Sequence, residues 1–219
     1  MSRVTLAGPS GLDVHVWRVD LAAAPPGVVP RDDELRRVAG MLDDRRAAHV
    51  LASGAWLRVI LGRYLDLDAA DVQLSRSTRG KPSIVDGGDL CFSLSRSDGL
   101  ALIALARGRP VGVDLERIRA DVDHDGLLRR FFAPGEVEAV RRLPAPHRLD
   151  AFFGLWARKE AVVKASGAGL SEGLDHLDVC ASPVAGRWSV ASLEAIPGFA
   201  AAGAVDGALG PISLHEPDG

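Results

Sequence analysis

The spacing of apolar residues along the chain changes between the period of strands and the period of helices. Alternation of apolar and polar residues over 12–21, 90–95 and 111–116 predicts strands with one polar face. The continuous apolar run 100–106 predicts a strand that is buried on both faces. Further strands are predicted, with weaker patterns, at 72–74, 176–179, 187–193 and 198–214.

Helical spacing predicts five helices between and after these strands. The shorter helices cover 32–42, 127–132 and 136–143, and a longer helix with an apolar stripe covers 46–65. The fifth begins at Phe152 and ends at Gly167 and Gly169.

In the fifth helix, charged residues interrupt the apolar stripe. Lys159 lies in the middle of the stripe, Glu160 lies at its margin, and Lys164 follows one turn later. A lysine on a buried face is costly unless it meets a negative partner or its head reaches solvent. The alternative for Glu160 and Lys164 is a surface pair that contributes about 0.2–0.5 kcal/mol.

The strand at 111–116 carries two acids on one face. Val113 and Leu115 point towards a core, whereas Asp114 and Glu116 point together to the other side. Two neighbouring carboxylates repel each other, and a cation relieves that cost. A solvent-facing strand end is the alternative interpretation.

The composition of the 219 residues is that of an ordinary soluble protein, with 47% hydrophobic and 25% charged residues. The net charge of −3 gives no general attraction to nucleic acid or to acidic membranes. Cys91 and Cys180 have no metal-ligand spacing, and the N-terminus lacks the pattern of a signal peptide. We therefore expect a cytoplasmic protein with reduced thiols.

Asp114, Glu116 and Glu160 together form a candidate metal site. A site of carboxylates without histidine or cysteine suits a hard cation such as Mg²⁺ or Mn²⁺. Such a cation normally shares its ligands with substrate phosphates. Five basic side chains could supply the charges that a polyphosphate needs: Arg79, Lys81, Arg96, Lys159 and Lys164.

Four motifs in order carry a family resemblance: GKP at 80–82, FSLSRS at 92–97, VGVDLE at 111–116, and WARKEAVVK followed by GAGL. Together they resemble the 4′-phosphopantetheinyl transferases over roughly 45–174. The similarity is greatest to the monomeric type that activates surfactin synthetase and other peptide and polyketide synthases.

The resemblance implies a Mg²⁺-dependent enzyme of the holo-[acyl-carrier-protein] synthase type. Such an enzyme moves the 4′-phosphopantetheine arm of coenzyme A to a serine of an acyl or peptidyl carrier protein and releases adenosine 3′,5′-bisphosphate. Asp114, Glu116 and Glu160 would bind the metal, and Glu160 or a metal-bound water would accept the serine proton. Lys164 would neutralise the pyrophosphate or help the leaving group.

The resemblance also implies contacts to coenzyme A. Lys81, Ser95 and Arg96 would face the adenosine phosphates, and Lys159 would be either a phosphate contact or a structural support. The family usually has histidine at the position of Arg96, and its usual arginine near the start of the long helix aligns with His49 or, by a small shift, with Arg46. Asparagine is common in the family at the position of Ser93, and serine or threonine at that of Ala157.

The implied fold is α+β, with two similar α/β halves related by a pseudo-twofold axis and coenzyme A in the cleft between them. Residues 1–108 and 109–219 fit these halves. Carrier recognition would use Phe131, Phe132 and the region 133–147, although both phenylalanines could simply belong to the core.

Two other classes of function fit part of the pattern. One is a module that binds carrier proteins but has lost catalysis, and the other is a metal-dependent pyrophosphatase or nucleotide hydrolase. Mass spectrometry of a carrier incubated with coenzyme A and Mg²⁺ separates these classes.

Overall fold

Nine strands and five α-helices lie within the part of the chain that the computed structural model describes, which is 9–11, 13–78, 80–167, 173–180, 183–193 and 196–217. The strands are β1 Val14–Asp20, β2 Leu74–Arg76, β3 Pro82–Ile84, β4 Leu90–Ser97, β5 Leu100–Arg107, β6 Val111–Arg117, β7 Trp188–Ser192, β8 Phe199–Asp206 and β9 Ile212–His215. The helices are α1 Asp32–Val38, α2 Asp44–Leu65, α3 His124–Phe131, α4 Pro134–Arg142 and α5 Ala145–Ser166. The α+β class is therefore confirmed.

The two halves of the chain share one topology. The first sheet has the order β4-β5-β1 followed by β9, and the second has the order β6-β8-β7. In each half the last of three antiparallel strands lies between the other two, and each half contributes one helix of 22 residues. The last strand crosses the boundary at 108/109, because β9 pairs in parallel with β1 of the first half.

Several element predictions differ from the structure: α3 begins at His124 rather than at 127, β3 was not predicted, and the region 198–214 forms two strands, β8 and β9. Helix α5 begins at Ala145 rather than at 152, since the prolines at 144 and 146 suit the first turn of a helix. Helix α1 ends at Val38 rather than at 42. The strand predicted at 176–179 is wrong: a 3₁₀ turn, Leu174–His176, lies there, and neighbouring helices bind its backbone.

The strands β4 and β6 meet at the junction of the two sheets through side chains. The hydroxyls of Ser93, Ser95 and Ser97 accept hydrogen bonds from the backbone N–H groups of residues 113, 115 and 117 at 3.1, 3.2 and 2.9 Å. Alternate residues of a strand share a face, so three serines at a spacing of two can serve three alternate N–H groups. We call this junction the serine seam.

Helix α5 lies directly against strand β6 at Gly112. A Cβ atom at this position would lie 1.9 Å from the carbonyl oxygen of Ala161 and 2.5 Å from the amide nitrogen of Ala165. Only glycine allows the two backbones to approach this far. This contact fixes the distance between the acids of β6 and the acid of α5.

Within the described residues, no helix combines the length and the apolar character needed to cross a lipid bilayer.

Candidate active site

Asp114 lies at the serine seam, with only 2% of its surface exposed. Its Oδ1 atom accepts hydrogen bonds from the Ser95 hydroxyl at 2.9 Å and from the Lys164 ammonium at 2.6 Å. Its Oδ2 atom is buried and has no hydrogen-bond partner among the described residues. Because an unpaired buried carboxylate oxygen is costly, this atom points to a ligand that the described residues do not supply.

Glu160 approaches the same point from α5. Its Oε1 atom is likewise buried without a partner in the described part of the chain. The pKa of Glu160 is raised to about 7. Burial is the largest cause, the charges of Asp114 and Glu116 add to the rise, and the ammonium of Lys164 opposes it.

Glu116 completes the group from the partly buried end of β6. Burial raises the pKa of Glu116 and the charge of Asp114 adds to this rise, whereas Lys164, Arg119 and a hydrogen bond from Trp156 lower it. The three acids predicted from the sequence therefore act on one another electrostatically.

The donor set fits a hard divalent cation. Two unpaired buried oxygens, one on Asp114 and one on Glu160, are available beside a third carboxylate. Oxygen ligands of this kind suit Mg²⁺ or Mn²⁺, and the ammonium of Lys164 offsets only part of the negative charge of three carboxylates.

A second acidic group is more tightly clustered. Among the described residues, the potential ligand atoms of Glu136, Asp178 and Cys180 all lie within 4.8 Å of one another. The ligand atoms of the predicted triad do not all lie within that distance. However, Glu136 already forms an ion pair with Lys159 at 2.7 Å, and Asp178 accepts the amide of Cys180. We therefore favour the triad, whose oxygens lack partners, as the metal site.

A cleft of about 800 Å³ opens between the two halves on the Glu116 side of the acids. Five arginines line this arginine cleft: Arg45, Arg46, Arg96, Arg117 and Arg119. His49, Met41 and Leu21 also line it, so the cleft offers apolar surface beside its positive charges.

Arg96 is the arginine that projects from β4. Its guanidinium donates a hydrogen bond to the Ser53 hydroxyl at 2.9 Å, and no carboxylate in the described part of the chain forms an ion pair with it. Burial lowers the pKa of Arg96, and the neighbouring Arg37, Arg76 and Arg46 lower it further. Like charges held together in this way favour the binding of an anion.

A smaller pocket of about 360 Å³ lies on the other side of the acids. Glu160 and Lys164 line it together with Lys81, and its remaining walls are mainly apolar: Pro82, Phe92, Leu94 and Val163. We call it the lysine pocket. Lys81 donates a hydrogen bond to the carbonyl of Ala165 at 2.7 Å, which ties the β2–β3 hairpin to the end of α5.

The structure groups the remaining predicted residues in different ways. Arg46 and His49 lie one turn apart on α2 and both line the arginine cleft, whereas Lys81 lies in the lysine pocket. The hydroxyl of Ser95 is bound to Asp114, Lys164 and an amide of β6. Arg79 and Gly169 lie outside the described residues.

The sequence leaves two roles open for Lys159, a phosphate contact or a structural support, and the geometry favours the structural role. The side chain is 0% exposed and forms its ion pair with Glu136 inside the protein. Of the two phenylalanines, Phe132 is buried in the core and Phe131 is partly buried, with its ring edge-on to Trp156 at 5.9 Å between centroids.

Several contributors to the site were not predicted. Ser93 and Ser97 join the two sheets, and Gly112 brings β6 against α5. Asp98 bridges two arginines of the cleft, with Arg45 at 3.1 Å and Arg117 at 3.7 Å. The alternation of serines in 92–97 was the only sequence signal for any of these roles.

Comparison with known proteins relates the chain to one enzyme superfamily. The family model described as the 4′-phosphopantetheinyl transferase superfamily matches residues 110–198. The 4′-phosphopantetheinyl transferase HetI from Nostoc sp. is 34% identical over 84% of this chain and 83% of that protein.

Two further relatives match over shorter ranges. The 4′-phosphopantetheinyl transferase Sfp from Bacillus subtilis is 31% identical over 61% of this chain and 58% of that protein. The 4′-phosphopantetheinyl transferase AcpT from Salmonella typhimurium is 32% identical over 59% of this chain and 68% of that protein.

Proposed function

The chain belongs to the 4′-phosphopantetheinyl transferase superfamily, and we propose that it transfers the 4′-phosphopantetheine arm of coenzyme A to a serine of an acyl or peptidyl carrier protein. The observation that carries this proposal is the pair of unpaired, buried oxygens on Asp114 and Glu160. They lie between a positively charged cleft and a mainly apolar pocket, which are complementary to the two ends of coenzyme A.

The proposed position of coenzyme A follows from the two cavities. Glu116 lines the arginine cleft, whereas Glu160 and Lys164 line the lysine pocket. A pyrophosphate bound at the acids would therefore direct its nucleotide into the cleft and its pantetheine arm into the pocket. Arg96 would bind the 3′-phosphate, because a guanidinium can make two hydrogen bonds to a phosphate and keeps its charge at any physiological pH.

Asp114, Glu116 and Glu160 would hold Mg²⁺, with Mn²⁺ as a substitute. The cation would neutralise charge on the pyrophosphate during phosphoryl transfer. Lys164 would add a positive charge at the same place, since its ammonium already lies 2.6 Å from Asp114.

In the proposed reaction the serine oxygen attacks the phosphorus that bears the pantetheine arm. The bond from this phosphorus to the bridging oxygen breaks, and adenosine 3′,5′-bisphosphate leaves with that oxygen. Glu160, or a water bound by the metal, would accept the serine proton. We further propose that the enzyme is monomeric and cytoplasmic, and that neither nucleic acid nor a membrane is its partner.

A panel of carrier proteins tests the proposal. Each carrier is incubated with coenzyme A, Mg²⁺ and the enzyme, and mass spectrometry should detect a gain of one phosphopantetheine group on at least one carrier. Asp114→Ala should abolish the gain while leaving the fold intact, and Asp121→Ala, an exposed acid in the loop after β6, serves as the matched control. Carrier binding without a mass gain would favour a non-catalytic module, and nucleotide release without a carrier would favour a hydrolase.

The role of Arg96 has a test of its own. Arg96→Ala should weaken the binding of coenzyme A more than that of 3′-dephospho-coenzyme A. Equal losses for the two ligands would place Arg96 away from the 3′-phosphate.

A further inference from the structure

The ammonium of Lys159 has its three hydrogens directed at three acceptors inside the protein. It pairs with Oε2 of Glu136 at 2.7 Å and donates hydrogen bonds to the carbonyls of Leu174, at 2.8 Å, and Leu177. The ring of Phe132 covers it at 5.2 Å. A lysine has three donors, so none remains for a phosphate.

Glu136 is equally committed. It is 0% exposed, its Oε2 atom accepts the amide of Ala133 at 2.8 Å, and its Oε1 atom accepts the amide of Val179 at 2.9 Å. Both oxygens of this carboxylate are therefore bound inside the protein, by two amides and one ammonium.

These contacts fasten one segment to two helices. The backbone of 174–179 is bound by Lys159 and Arg158 of α5 and by Glu136 of α4. Helix α5 is therefore held on one side by this segment and on another side by its close contact with Gly112 of β6.

We propose that Lys159 and Glu136 are positioning residues that set the rotation and height of α5, and through it the place of Glu160 at the metal site. Neighbouring helix residues differ by about 100° around the axis, so a fixed Lys159 determines where Glu160 points. The inference rests on the proposed function, because it assigns Glu160 to the metal.

Four variants test the proposal. Lys159→Met removes the ammonium, Glu136→Gln removes the carboxylate charge, and the double variant leaves no charge in the buried pair. The control is Glu138→Gln with Arg142→Met, which removes an exposed ion pair of α4 whose N–O distance is 2.8 Å. For each protein we would measure the midpoint of unfolding, Mn²⁺ affinity, affinity for coenzyme A without metal, and the rate of transfer.

Lys159→Met should lower the unfolding midpoint, because it leaves the Glu136 carboxylate buried and unpaired. Adding Glu136→Gln should recover part of that loss, because a buried pair without charge costs less than a single buried charge. Mn²⁺ should bind about 10- to 100-fold more weakly in Lys159→Met and in the double variant than in the wild type. This is the usual effect of losing a residue that orients a metal ligand. Metal-free affinity for coenzyme A should stay within about twofold of wild type, since no phosphate contact is lost.

Other outcomes overturn the proposal. A loss of coenzyme A affinity with Lys159→Met, whichever residue stands at 136, would make Lys159 a phosphate contact. Wild-type Mn²⁺ affinity and transfer in the double variant would make the pair a support of the fold alone. If the wild-type protein transfers nothing to any carrier, the proposed function fails, while the unfolding and Mn²⁺ measurements still decide the positioning role.

Discussion

The substitution Gly112→Ala tests how the metal site is spaced. The new Cβ would lie 1.9 Å from the carbonyl oxygen of Ala161, whereas ordinary contact begins at 3.4 Å. Helix α5 and strand β6 would have to separate by about 1.5 Å, the difference between these two distances. Overpacking of this kind costs about 1–3 kcal/mol of stability.

The effect on function should exceed the effect on stability. Mg²⁺ requires ligands at about 2.0–2.1 Å, within about 0.2 Å. A shift of about 1.5 Å between Asp114 on β6 and Glu160 on α5 would therefore disrupt the shared cation site, and a misplacement near 1 Å can cost about 100-fold in rate. The rate of transfer is measured by stopping the reaction at intervals and analysing the carrier by mass spectrometry. The stability is measured by thermal unfolding.

Gly154→Ala is the matched control in the same helix. A Cβ at this position meets no heavy atom within 4 Å, so the change should stabilise α5 by about 1 kcal/mol and leave transfer unaltered. The reasoning would be refuted if Gly112→Ala transferred at the wild-type rate, or if both substitutions reduced the rate equally.

Three further changes test other parts of the site. Ser97→Ala should lower the free energy of unfolding by about 1 kcal/mol, because the amide of Arg117 loses its acceptor, and should leave transfer largely intact. An unchanged free energy of unfolding would show that the serine seam does not stabilise the fold. Without metal, the free energy of unfolding of the wild type should fall by up to about 3 kcal/mol, relative to that of Glu160→Gln, as the pH rises from 4.5 to 7. The reason is that the folded state binds the Glu160 proton more tightly than the unfolded state does. Parallel curves of unfolding free energy against pH for the two proteins would contradict this. Lys164→Met should slow transfer at least about tenfold yet strengthen Mn²⁺ binding in the absence of coenzyme A, because the ammonium no longer competes for Asp114; weaker Mn²⁺ binding would exclude that competition.

The sequence predicted the acids of the site because each follows a local rule. Alternation placed Asp114 and Glu116 on one face of a strand, and helical spacing placed Glu160 at the margin of an apolar stripe. Their grouping was a hypothesis from the chemistry of carboxylates, which the family resemblance then supported. No local pattern predicts it, since the contact of β6 with α5 is a tertiary feature. The glycine that permits this contact, Gly112, is visible in the sequence, but its neighbours are not.

Lys159 shows where local rules fail. Its place in an apolar stripe indicated that the ammonium either meets a negative partner or reaches solvent. The partner, Glu136, lies on another helix, and no sequence spacing connects the two residues. The same limit applies to 176–179, whose pattern suggested a strand although side chains of α4 and α5 bind its backbone. Helix α5 begins seven residues before the apolar stripe, at Ala145, where the prolines at 144 and 146 suit the first turn of a helix.

The most direct test of the central claim is the anomalous scattering of Mn²⁺ in a crystal of the enzyme grown with coenzyme A. The account predicts one strong peak among the carboxylates of Asp114, Glu116 and Glu160, with the pyrophosphate beside it. A peak at Glu136, Asp178 and Cys180, or a bound pyrophosphate without metal at the serine seam, would contradict it.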